Sequence, residues 1–194
     1  MKRKTINKNI KYIGIGLHKG EDIKLKLKPA KSGEGIVFKR VDFEEGKNII
    51  KLDNQNVFEL TRGTNLKNEF GAQIYTIEHF LSALYALQIT DLNVEIDGNE
   101  LPIIDGSAFK FLELLEESVI DLEDDIEELV IKSPIYVSKG DKYVIGMPYD
   151  GYKITYAINF NHSFLKSELL EMEINYENYK NEISKARTFG FDFE

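Results

Sequence analysis

Apolar and polar residues alternate in DIKLKLKP, Asp22 to Pro29, with Ile23, Leu25 and Leu27 on one face and lysines on the other. That is the two-residue period of a half-buried strand. After the turn residues Ser32 to Gly35, GIVFKRVDF reads as a returning strand, so the two segments are expected to pair as a hairpin. The period then changes. TIEHFLSALYAL, Thr76 to Leu87, puts Ile77, Phe80, Leu81 and Leu84 on one helical face that should pack on a sheet. On the far side, His79 is followed at helical spacing by Ser82, Ala83 and Ala86, a small-residue stripe that would let another backbone approach. The helix is therefore expected to be sandwiched, with His79 at the seam and Glu78 beside it. A strand in DLNVEID (Asp91 to Asp97), a turn at Gly98 and Asn99, and a helix from about Ser107 to Ser118 follow. Strands and helices in blocks predict an α+β layer.

The pattern restarts beyond an acidic stretch. Between Glu113 and Glu128 there is no Lys or Arg, which reads as a solvated helix end and linker. After it, SKGDKYVIGMPYDGYKITYAINF (Ser138 to Phe160) can be laid over HKGEDIKLKLKPAKSGEGIVFKRVDF (His18 to Phe43). Both contain Lys-Gly, a strand, a proline, a glycine turn and a returning strand, the mark of a duplicated unit. The expected organisation is a first α+β domain over 1–126 and the N-terminal part of a second, similar one over 127–194. The second copy ends before the helices that a complete unit requires.

Composition narrows the function classes. The 194 residues are 42% apolar and 11% aromatic, enough for a globular core. A formal net charge of -8 argues against a nucleic-acid partner. With no cysteine, disulfides are excluded and any metal would be held by histidine and carboxylates. Neither a signal peptide nor a membrane-spanning run is recognisable, so a cytoplasmic protein is expected.

Taken singly, the polar residues have ordinary explanations. An isolated Glu-His pair at a helix start is usually solvated. His18, in a tight loop, and His162, where the chain turns, are expected to bond backbone groups, and neither is assigned to a metal. Asp105 and Ser107 are helix-capping candidates. Alone, Thr188 reads as a strand-end threonine, Lys142 as a surface lysine and Phe160 as a core strand residue.

The separated motifs GIGLHKG (Gly14 to Gly20), TIEH (Thr76 to His79), LPIIDGSA (Leu101 to Ala108), FNH (Phe160 to His162) and ARTFGF (Ala186 to Phe191) change this picture. In identity and order they resemble the UDP-3-O-acyl-N-acetylglucosamine deacetylases of lipid A biosynthesis, and the resemblance covers the whole chain. It implies two similar sheet-plus-helix domains clasping a catalytic zinc. It makes His79 a zinc ligand, Glu78 the general base and Thr188 a donor to the tetrahedral oxyanion. It sets Lys142 near the diphosphate of a UDP-sugar that carries an acyl chain, with Phe160 stacked on the uracil and Phe189 also in contact with substrate.

The chain departs from the family at its end. The family's remaining zinc ligands, a histidine and an aspartate, follow the ARTFGF motif and are expected beyond residue 194. Two readings stay open: the N-terminal part of a deacetylase, inactive alone, or a non-catalytic module that keeps the fold to bind a nucleotide sugar or a partner.

Overall fold

A computed structural model describes residues 1–18, 20–61, 63–160 and 166–188. The chain divides into two compact units, one comprising Met1–Ile126 with the residues from Lys180 on, the other Glu127–Tyr179. The architecture is α+β.

In the first unit the strands are β1 (Lys2–Ile6), β2 (Ile10–Ile15), β3 (Asp22–Pro29), β4 (Ile36–Arg40), β5 (Ile49–Lys51), β6 (Val57–Phe58), β7 (Asn65–Lys67) and β8 (Gln73–Ile74). Helix α1 (Glu78–Ala86), β9 (Leu92–Ile96), α2 (Phe109–Leu115) and β10 (Val119–Asp125) follow. The main sheet has the order β2-β3-β9-β4-β5, and a small sheet of β6, β7 and β8 leads into α1.

The expected hairpin of β3 and β4 is not formed, because β9 lies between them, antiparallel to β3 and parallel to β4. The physical reason lies in β9 itself. All three of its apolar residues, Leu92, Val94 and Ile96, are fully buried, whereas in the edge strand β5 only Ile50 is and its neighbour Ile49 is exposed. Parallel pairing of β4 with β9 needs a long crossover, and α1 lies within it.

Phe80 of α1 joins Phe38 of β4 and Phe111 of α2 edge to face, at ring-centre distances of 6.4 and 5.3 Å. Such contacts add to the burial of the rings. Ile77, Phe80, Ala83 and Leu84 are buried, whereas Leu81 and Ser82 are half-buried. Ala83 therefore belongs to the core and not to the small-residue stripe, and the apolar face is rotated slightly from the expected one.

The acidic run is likewise not a linker throughout. Val119–Asp125 is a strand paired with β1, with Lys2 opposite Asp125 and Lys4 opposite Asp121. Lys2 Nζ lies 3.5 Å from Asp125 across the pair, a partner the local sequence lacks, whereas Lys4 Nζ donates to Gln88 Oε1 at 2.9 Å.

The second unit contains β11 (Ile135–Lys139), β12 (Lys142–Gly146), β13 (Lys153–Asn159), β14 (Ser167–Glu173) and the single turn α3 (Tyr176–Asn178). Its strands form two antiparallel pairs, β11 with β12 and β13 with β14. In the latter, Ile154, Tyr156, Leu170 and Met172 share one face by register, and Lys153 and Glu171 pair on the other at 2.6 Å. Tyr156 and Leu170 remain more than half exposed on the apolar face. No helix among the described residues is long and apolar enough to cross a membrane.

Candidate functional site

The start of α1 is built against two loops of the first unit. Thr76 has φ +60°, a region that a β-branched residue rarely adopts. Its N–H donates to Asn65 Oδ1 at 3.1 Å and its hydroxyl to Glu100 Oε1 at 3.1 Å. The N–H of Ile77 donates to the Thr64 carbonyl at 3.1 Å. The turn is thus fixed from both sides, as a strained conformation must be to persist.

Glu78, half-buried, reaches back so that its Oε2 accepts the Thr64 N–H at 2.8 Å. A Cβ on Gly63 would sit 3.6 Å from both carboxylate oxygens, so the carboxylate lies directly against that loop. His79 is also half-buried. The helix has no side-chain cap at Ile77, and Glu78 is the acidic residue of its first turn, where the helix dipole favours negative charge.

The ART segment lies against the LPIIDGSA loop. Thr188 N–H donates to the Gly106 carbonyl at 3.0 Å, and Arg187 approaches Asp105 at 4.0 Å. Burial alone would raise the Asp105 carboxyl, but the Ser107 hydroxyl and N–H and the Arg187 charge outweigh it and hold the group below the usual carboxylate range. Asp105 does not cap α2 as expected. It accepts from the Ser107 N–H and hydroxyl at 3.1 and 2.7 Å, and the first helical amide, Phe109 N–H, instead donates to the Ser184 carbonyl at 2.8 Å. The polypeptide after residue 180 does the satisfying.

Contrary to what its loop position suggests, His18 does not bond backbone groups alone. Besides its backbone, its ring meets a carboxylate: Nδ1 lies 2.5 Å from Glu100 Oε1, and the His18 N–H donates to Glu100 Oε2 at 3.1 Å. Glu100 is 4% exposed. Reading the sequence missed it because DGNE looks like a simple turn; a lone glutamate entering the apolar run LPII is the signal that could have found it. His18, Glu59, Thr61, Tyr75, Thr76 and Glu100 line a cavity of about 500 Å³, within the size range of small-molecule sites.

In the second unit, Lys142 opens β12 opposite Lys139 and is exposed. Phe160 follows β13, half-buried, with its N–H donating to the Lys166 carbonyl at 3.0 Å. Phe189 and His162 lie outside the described residues. Glu78, His79 and Thr188 therefore belong to the first unit and Lys142 and Phe160 to the second. Among the described residues no group of at least three His, Cys, Asp or Glu side chains could hold a metal. His79 and Glu78 offer one imidazole and one carboxylate against the three protein ligands of a catalytic zinc, so these donors do not make up a complete zinc site.

The family model described as UDP-3-O-acyl N-acetylglycosamine deacetylase (LpxC) matches residues 3–194, and the chain belongs to that family. A UDP-3-O-acyl-N-acetylglucosamine deacetylase of Campylobacter fetus subsp. fetus is 42% identical over 192 residues, covering 98% of this chain and 64% of the relative. Proteins of the same name from Sulfurovum sp. and Wolinella succinogenes are each 40% identical, with 98% and 100% of this chain covered. The chain spans 64% of the length of each of these relatives.

Proposed function

We propose that this chain carries the first part of a zinc-dependent, cytoplasmic deacetylase that removes the N-acetyl group from an acylated UDP-N-acetylglucosamine in lipid A biosynthesis. The observation that carries the reading is the TIEH sequence at the start of α1 in a chain matching the family from residue 3 to 194. In the reaction, water oxygen bonds to the acetyl carbon, the C–N bond breaks, and acetate and the free amine leave. Glu78 is the general base that accepts the water proton, and the Thr64 N–H steadies its carboxylate. The Thr188 hydroxyl donates to the developing oxyanion. Lys142 meets the diphosphate, and Phe160 and Phe189 contact the rest of the substrate.

His79 is in this reading one zinc ligand, with the remaining donors in the part of the relatives' length that this chain does not span. Zinc would supply Lewis acidity to the carbonyl and lower the pKa of its water.

The test uses the 194-residue chain beside a chimera in which it is continued by the C-terminal third of the Campylobacter fetus relative. The chimera is expected to hold near-equimolar zinc after dialysis and to release acetate from the UDP-sugar. The 194-residue chain is expected to retain little zinc and to release none, because one imidazole with a carboxylate does not fix the metal. Equimolar zinc with steady turnover by the shorter chain would overturn the division of the site. A chimera that binds the UDP-sugar without cleaving it would favour the binding module. His79→Ala should lower zinc content in the chimera, and unchanged stoichiometry would remove His79 from the ligand set.

A further inference from the structure

Glu100 satisfies two segments with one buried carboxylate. Oε1 lies within hydrogen-bond distance of both the Thr76 hydroxyl and His18 Nδ1, and Oε2 accepts the His18 N–H. A buried carboxylate needs such donors, since without them burial would disfavour its charge. The approach is specific to the local backbone: a Cβ on Gly16 would fall 2.8 Å from Glu100 Oε2, so glycine is what allows β2's end to run beside the carboxylate. Short bridges of Gly16 with Pro102 and of Tyr75 with Glu100 hold the same three strands of chain together.

We propose that Glu100 is a positioning residue for Glu78. It holds the left-handed turn at Thr76, from which α1 presents Glu78 and His79, and by the same carboxylate it fixes the His18 ring on the cavity wall with Nδ1 as the donor. A carboxylate only accepts, so the Nδ1 proton lies toward Glu100 and Nε2 is the acceptor of the neutral ring. Coupling through Thr76 is direct: its hydroxyl is bound to Glu100, its N–H to Asn65, and the next residues are Ile77 and Glu78. The consequence for catalysis rests on the deacetylase reading; the geometry does not.

The experiment is nitrogen-15 NMR of the 194-residue chain in alkaline buffer, on the parent, Glu100→Gln, Thr76→Val and Thr76→Ser. In the parent, two-bond proton-nitrogen spectra should show His18 protonated at Nδ1. Glu100→Gln must keep its one oxygen toward the His18 N–H, which places the NH2 toward Nδ1 and the Thr76 hydroxyl, and it should shift the ring toward the Nε2–H form while moving the Glu78 and His79 amide signals. Thr76→Val removes only the hydroxyl, so it should move those two amides and leave the His18 tautomer alone; Thr76→Ser should restore the parent spectrum. A role limited to stability would lower the melting temperature without touching the tautomer. An Nε2–H ring in the parent, or unmoved Glu78 and His79 amides in Thr76→Val, would overturn the proposal even if Glu100→Gln fails to fold. In the chimera, Thr76→Val should lower kcat on the order of tenfold or more with KM little changed. Full kcat there, in a chimera that Glu78→Gln inactivates, would remove the positioning role and leave the deacetylase reading standing.

Discussion

Glu78→Gln in the chimera will lower deacetylation on the order of a hundredfold or more, the usual worth of a positioned general base. The substitution is close to isosteric. The side-chain oxygen of glutamine can still accept the Thr64 N–H that Glu78 Oε2 accepts at 2.8 Å, so the loop at Gly63 and the start of α1 should keep their places. In the proposed mechanism, what is lost is the capacity to take a proton from attacking water. Zinc content and substrate affinity should stay near the parent values, so that the loss appears in kcat. The measurement is acetate release under saturating UDP-sugar, with zinc determined on the same sample. Turnover within severalfold of the parent would take Glu78 out of the proton transfer, and a parallel loss of zinc would make its role one of holding metal.

Much of the frame around Glu78 is legible in the sequence because local patterning decides it. The alternation of Ile23, Leu25 and Leu27 specifies β3, and the spacing of Ile77, Phe80 and Leu84 specifies the buried face of α1. What local patterning does not carry is which strand lies beside which. Period and turn residues favour pairing β3 with β4, yet a strand from more than fifty residues on separates them, and in that central place Leu92, Val94 and Ile96 are all fully buried. The same limit hides partners distant in sequence. Val119–Asp125 looks like a solvated run until the lysines of β1 are set against it. Asp105 looks like a cap until Ser184 is seen to take the amide it was expected to satisfy. Glu100 and His18, 82 residues apart, are each unremarkable alone. At the site, the residue types of TIEH are readable, whereas the clamp on Thr76 is a tertiary fact.

Asp91→Ala is expected to destabilise the first unit by roughly 3 kcal/mol, the low end for breaking a buried ion pair from one side, because Asp91 is fully buried but its partner Arg3 is only half-buried. Asp91 is fully buried at the entry to β9. Its Oδ2 accepts from Arg3 Nε at 2.8 Å and the Thr90 hydroxyl at 2.6 Å, and its Oδ1 from Arg3 Nη2 at 2.9 Å and the Gly35 N–H at 2.8 Å. One carboxylate thus ties β1, the turn before β4 and the central strand, and the geometry to Arg3 is bidentate. Burial by itself would raise the Asp91 carboxyl, but Arg3, Thr90 and the Gly35 N–H together outweigh it, and the folded value lies below the ordinary one. The contribution is therefore complete above the unfolded carboxyl's pKa of about 3.9 and is lost as pH falls through the lower folded value. Melting of the first unit, followed by circular dichroism, should show Asp91→Asn well below the parent at neutral pH. The gap should close progressively in acid below about pH 4, because the parent's carboxyl then protonates as well. A gap that stays constant down through that range would assign the stabilisation to the shape of the side chain and not to its charge.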